Sequence, residues 1–182
     1  MSNMKLFFIT GNKKKFDEVK AILPFIEKLD IDLPEIQEMD PKIIIKSKLL
    51  EALNHEKGEF IVEDTSLSME CLNGLPGPLI KWFLATIGNM GLVDLAEKFG
   101  NDRAEVRTII GYAKSHEEIY FFEGVGKGKI RKTKPGSGFG WDPVFQPDGY
   151  EQTFGEMSFE EKNKISMRTI AATKLKDFLQ QK

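Results

Sequence analysis

The run Leu6-Phe7-Phe8-Ile9 is apolar at every position, so the element it forms must be covered on both faces. A strand with one face in water alternates apolar and polar residues. A short run without alternation, stopped by Thr10-Gly11-Asn12, reads instead as a strand buried between two layers. A helix follows, with Phe16, Val19, Leu23 and Ile26 at helical spacing and an end expected near 24–28. Pro34 and Pro41 bracket a loop, and a second helix is expected from about Lys42 to Asn54. Phe60-Ile61-Val62 is another continuous apolar run, and it delivers Glu63 and Asp64 at its C-terminal end. That is the end at which open α/β sheets place ligands.

Leu75-Pro76-Gly77-Pro78 breaks the chain before a helix around Leu79 to Ile87, and another is expected over Leu92 to Phe99. From Ala104 to Ala113 the pattern alternates, with Ala104, Val106, Thr108, Ile110 and Tyr112 on one face. The turn Lys114 to Glu118 leads into Ile119 to Val125, which completes an antiparallel hairpin. Ser158-Phe159-Glu160-Glu161 carries serine three residues before glutamate, a capping box, and the last helix has Ala171, Leu175 and Phe178 on its inner stripe. The fold class is therefore α/β, a mixed twisted sheet flanked by helices and not a pure βαβ repeat. With no internal repeat and no long linker, residues 1–182 are expected to form one domain.

Composition excludes several functions. A net charge of −2 and a pI near 5.8 argue against a general nucleic-acid binder. A single cysteine, Cys71, cannot form an internal disulfide and suits a reducing compartment. His55 and His116 lie far apart, which leaves no Cys/His zinc site or histidine-assisted nucleophile. The first residues lack the apolar core of a signal peptide, and no apolar stretch is long enough to span a membrane. A soluble cytoplasmic protein is expected.

Three segments carry candidate chemistry. In Thr10-Gly11-Asn12-Lys13-Lys14-Lys15, glycine frees the backbone after a buried strand, and a helix begins with its unpaired N–H groups. Three lysines there oppose the helix dipole unless an anion is bound; the alternative is a solvated basic helix start. Glu35 and the Glu63-Asp64 pair form the second set, because magnesium needs one or two carboxylates plus phosphate oxygens and water. Asp64 is the stronger candidate, and Glu63 could equally cap a turn. The third is Gly138-Phe139-Gly140-Trp141-Asp142-Pro143, which can be a platform for a base or simply core packing around a turn. Gly124-Val125-Gly126-Lys127-Gly128-Lys129 imitates a phosphate loop but lacks the serine or threonine of one. With Arg131, Lys132 and Lys134 it makes a basic run expected to be a solvated face.

Taken in order, these motifs closely resemble the inosine triphosphate pyrophosphatase family. The resemblance runs through Thr10-Gly11-Asn12 with Lys15 and Glu18, Leu33-Pro34-Glu35, Val62-Glu63-Asp64-Thr65, and Gly74 to Pro78 with Lys81-Trp82-Phe83. It continues through Phe139 to Phe145, Gln146-Pro147-Asp148-Gly149, Thr153-Phe154, Glu156-Met157, Glu161-Lys162-Asn163, and Ser166 with Arg168. Each piece alone is weak; together, in register, they are specific.

The resemblance implies a two-lobed fold with a central nucleotide cleft, a homodimer, and a magnesium-dependent enzyme that cleanses the nucleotide pool. Its substrates would be deaminated purine triphosphates (those of inosine, deoxyinosine and xanthosine), cut to the monophosphate and pyrophosphate. Related alternatives are a pyrophosphatase with another base preference, or a nucleotide-binding protein with little turnover. By position, Thr10 to Lys15 would hold the triphosphate, with Lys48, Thr65 and Lys81 as further contacts and Lys46 as the substitute for Lys48. Glu35 and Asp64 would serve the metal, with Asp64 as base, ligand or both. Phe139, Gly140, Trp141, Asp142, Lys162, Met167 and Arg168 would surround the base, Arg168 donating to a 6-oxo group. Met167 stands where the family usually has histidine, which is expected beside the base; alternatively it packs in the core.

Overall fold

In the computed structural model, which describes residues 5–132 and 138–181, β1 (Leu6–Ile9) pairs in parallel with a strand on each side. Its partners are β2 (Glu27–Leu29) and β3 (Glu59–Met69), with Phe7 opposite Glu27 and Phe60. An interior strand of a covered sheet needs apolar residues on both faces, which accounts for its composition. Leu6 and Phe8 join Val19, Leu23, Ile61, Ala171 and Leu175 in one buried cluster. Phe7 and Ile9 face the other way, with Ile45, Leu49, Phe60 and Val62. The first layer belongs to α1 (Lys13–Lys20) and α6 (Met167–Gln180), the second to α2 (Pro41–His55). Phe8, Phe60, Ile45 and Leu49 are fully buried, and each such side chain contributes roughly 1.5–3 kcal/mol relative to exposure.

The chain divides into two compact units. The first comprises 1–64, 108–124 and 168–182; the second comprises 65–107 and 125–167. The second holds β4 (Pro76–Gly77), α3 (Ile80–Thr86), α4 (Gly88–Phe99), β7 (Phe145–Pro147) and α5 (Phe159–Ile165). Its core gathers Leu67, Met69, Leu92, Val93, Val106, Trp141, Phe145 and Phe154. Among the described residues the strand order is β2-β1-β3-β5-β6-β7, with β4 beside β3. Strands β3, β5 (Arg103–Ala113) and β6 (Ile119–Ile130) each contribute to both units. The mixed α/β sheet flanked by helices is the expected class.

Differences from the sequence reading are local. α1 stops at Lys20, short of the expected 24–28: Leu23 precedes Pro24, which disfavours helical backbone, although Leu23 and Ile26 stay buried. β3 and β6 run past Val62 and Val125, because a polar stretch extends as a strand once neighbours pair its backbone. In β6, Gly128 lies opposite Pro147, and a Cβ there would come within 2.2 Å of the Gln146 carbonyl. Close strand approach therefore accounts for a glycine in the phosphate-loop mimic. Lys134 of the basic run lies outside the described residues.

Candidate functional site

The turn after β1 is built by its own side chains. Asn12 caps α1, its Oδ1 accepting from the N–H groups of Lys14 and Lys15 at 3.0 and 3.2 Å. Thr10 Oγ1 accepts from the Asn12 N–H at 3.1 Å. The cap satisfies two amides that the sequence offered to an anion, so the lysine side chains carry the positive charge available there. Lys13 pairs with Asp17 at 2.7 Å and is largely exposed. Lys15 turns inward and places Nζ 2.9 Å from Glu63 Oε1.

Alternation along β3 separates the two acids. Glu63 follows Ile61 toward α1 and α6, whereas Asp64 follows Val62 toward α2. Glu63 is buried and receives Arg168 bidentately, Nε to Oε2 at 2.7 Å and the terminal nitrogen to Oε1 at 3.0 Å. Arg168 also donates to Glu18, itself buried. Burial alone would raise the Glu63 carboxyl, but the charges of Arg168 and Lys15 and their hydrogen bonds outweigh it and hold it at about 2. Glu63 is thus a permanent anion that locks Lys15 and Arg168 together.

Asp64 has the opposite character. Desolvation raises its carboxyl to about 6; Lys15 and Lys48 oppose that rise, and Glu35 and Glu63 add to it. Its Oδ2 is buried without a hydrogen-bond partner. Lys48 Nζ lies 2.8 Å from Glu35 Oε2, while Lys46, the substitute, is exposed on α2. A partnerless carboxylate oxygen near a second carboxylate and two lysines suits a divalent cation that brings its own water and phosphate ligands. Among the described residues no group of three or more His, Cys, Asp or Glu side chains offers a protein-only cage. Glu35 and Asp64 are the carboxylates that would hold a magnesium ion.

The second unit assembles the aromatic segment. Asp142 is buried and accepts from Lys162 Nζ at 2.7 Å, and that ammonium lies 5.1 Å from the Phe139 ring centre. Trp141 is core: its ring packs 5.6 Å from Phe145 and 6.3 Å from Phe154. Phe139 remains half-buried and Gly140 exposed. Core packing thus accounts for Trp141, whereas Phe139 stays partly exposed.

Lys81, Thr65, Met167 and Arg168 complete the expected set. Lys81 is exposed on α3, 5.8 Å from the Trp82 ring. Thr65 follows Asp64 on β3 and belongs to the second unit. Met167 sits in the apolar core of the second unit at 2% exposure. Arg168, expected to donate to a base, is 2% exposed and has Nε and both terminal nitrogens engaged by Glu63 and Glu18. In this structure it organises the first unit's carboxylates, because two buried anions outcompete any neutral acceptor for a buried guanidinium. Glu18 lies one turn beyond Lys15 on α1, a weak local signal, but its union with Arg168 spans 150 residues.

The fold and these clusters define a mixed α/β protein with a lysine-flanked carboxylate centre suited to polyphosphate and metal. The sequence pattern of the Ham1 family matches residues 6–178. An inosine triphosphate pyrophosphatase of Schizosaccharomyces pombe is 41% identical over 179 residues, 96% of this chain and 95% of that protein. Inosine triphosphate pyrophosphatase 1 of Trypanosoma cruzi is 43% identical over 180 residues, 96% and 92% of the two chains. Among solved structures, the Staphylococcus aureus Ham1 protein superposes with a TM-score of 0.81 at 27% identity, covering 97% of this chain and 99% of that one. A HAM1 protein from Coxiella burnetii gives 0.84 at 21% identity, covering 98% and 100%, a likeness of fold. The chain belongs to the Ham1 family.

Proposed function

We propose that this protein is a nucleoside triphosphate pyrophosphatase that hydrolyses inosine, deoxyinosine and xanthosine triphosphates to the monophosphate and pyrophosphate. The observation that carries the reading is Asp64: a carboxylate with one partnerless buried oxygen, flanked by Lys15, Lys48 and Glu35. Lys15 and Lys48 draw charge onto the phosphates, with Thr10, Lys13 and Lys14 beside them. Lys81 and Thr65 are further candidates for phosphate contact.

Glu35 and Asp64 would hold magnesium, which when bound neutralises phosphate charge. Asp64 orients a water molecule toward the α-phosphorus and takes its proton. A carboxyl near pH 6 is ionised at neutrality yet basic enough for that transfer. The new bond joins the water oxygen to the α-phosphorus. The bond that breaks is the one to the bridging oxygen, which leaves with pyrophosphate.

Base recognition belongs to Phe139 and the Asp142–Lys162 pair. An ammonium only donates, so Lys162 matches the 6-oxo group of hypoxanthine or xanthine and mismatches the 6-amino group of adenine. Strands β3, β5 and β6 run through both units, and residues 1–182 work as one enzymatic domain on this reading. The expected assembly is a homodimer in the cytoplasm. Among the described residues no helix is long and apolar enough to cross a membrane.

The test is turnover of inosine, xanthosine, adenosine, guanosine and pyrimidine triphosphates with magnesium, with the released anion identified. Pyrophosphate from the first two, well above adenosine and pyrimidine triphosphates, is the expected result. Orthophosphate, or a pyrimidine preference, would refute it.

A further inference from the structure

Asn89, in the first turn of α4, reaches across 51 residues of sequence and donates from Nδ2 to the Gly140 carbonyl at 2.9 Å. That carbonyl occupies a sensitive place. Gly140 and Trp141 are the central residues of a β-turn in which the Asp142 N–H donates to the Phe139 carbonyl at 3.3 Å. Gly140 has φ +62, and Trp141 has φ −96 and ψ 3. These values are those of a type II′ turn, which favours glycine at its first central position. The Gly140 carbonyl belongs to the peptide between the two central residues. It takes no part in the turn's own hydrogen bond, and its rotation converts one turn type into another.

The rest of the turn is held by other means. Trp141 is packed on Phe145 and Phe154, Asp142 is bonded to Lys162, and Phe139 lies under the same ammonium. Asn89 supplies the hold on the central peptide. A carbonyl only accepts, so the amide nitrogen must face it. Asn89 Oδ1 is thereby left buried with no hydrogen-bond partner. Unpaired buried acceptors are rare because they are costly, and this one accompanies a donor placed where the turn needs it.

We infer that Asn89 is a positioning residue for base recognition, its amide fixing the Phe139–Asp142 turn so that Phe139 and the Asp142–Lys162 pair meet the purine preformed. The inference rests on the assignment of that turn to the base. A base-free competitor, tripolyphosphate, separates base recognition from phosphate binding, and Phe139→Ala reports on the turn independently. Asn89→Ala removes the donor, and Asn89→Asp puts an acceptor of the same shape against the carbonyl.

Loss of one such hydrogen bond is expected to raise KM for inosine triphosphate about three- to tenfold while kcat stays within about twofold. Asn89→Asp should raise KM further. Inhibition by tripolyphosphate should be unchanged in both variants. An unchanged KM in Asn89→Ala beside a raised KM in Phe139→Ala overturns the role of Asn89 alone. An unchanged KM in both overturns the base assignment beneath it. Equal weakening toward inosine triphosphate and tripolyphosphate also overturns the inference, since the effect would then be general.

Discussion

Replacing Asp64 by asparagine should stabilise the protein at alkaline pH while abolishing most of its turnover. The folded carboxyl lies near 6 against an ordinary 3.8. That difference, at about 1.4 kcal/mol per tenfold, would make ionisation cost ~3 kcal/mol in a fully desolvated site. Asp64 is only partly buried, so screening reduces the figure to about 1–2 kcal/mol. Because the folded value lies above the unfolded one, the stability this group contributes is complete below about 3.8 and lost as pH rises through about 6. Asparagine is neutral throughout. The variant should therefore match the parent near pH 4 and exceed it at pH 8, by about 2–8 °C in Tm for a chain of this size. Thermal melts in chelator across that range measure the gap, and added magnesium should narrow it by stabilising only the parent. Turnover at pH 8 should fall by about 10²–10⁴ if Asp64 takes the water proton. A variant less stable than the parent at pH 8, a gap indifferent to pH, or retained turnover would each refute the reasoning.

Lys15→Ala should weaken binding of the triphosphate far more than binding of the bare nucleoside in calorimetric titrations; equal losses would remove Lys15 from the phosphate site. Glu35→Gln should chiefly raise the magnesium concentration giving half-maximal rate, and an unchanged requirement would argue against its role as a ligand. Arg168→Leu leaves Glu18 and Glu63 facing each other without their shared cation, so urea denaturation should show a loss of about 3–5 kcal/mol. A loss of selectivity without loss of stability would instead return Arg168 to the base. Met167→His puts an imidazole into an apolar core, so melts should show destabilisation of about 1–3 kcal/mol. The ratio of kcat/KM for inosine over adenosine triphosphate should stay unchanged; a shifted ratio would place this position at the base edge.

Local sequence determined the elements whose cause is local. Leu6–Ile9 had to be an interior strand, because every residue on it needs cover. Ser158 and Glu161 had to open a helix, and their reciprocal capping bonds are present. The acids after Val62 and the lysines after Gly11 stood out in the sequence as charge beside buried apolar runs, although β3 continues through Glu63 and Asp64 to Met69. Tertiary structure alone decided how those charges are shared. Sequence makes Glu63 and Asp64 neighbours and favours Asp64 without separating their charge states, but strand alternation sends one to Arg168 and the other toward Lys48, giving carboxyls near 2 and near 6. Arg168 could be read as a base donor until its guanidinium was seen between two buried carboxylates 105 and 150 residues away in sequence. Short β2 and β7 gave no periodic signal, and Asn89 gave no motif at all. Strand pairing, salt-bridge choice and a side chain's grip on a distant carbonyl depend on which segments meet, and no local window contains that information.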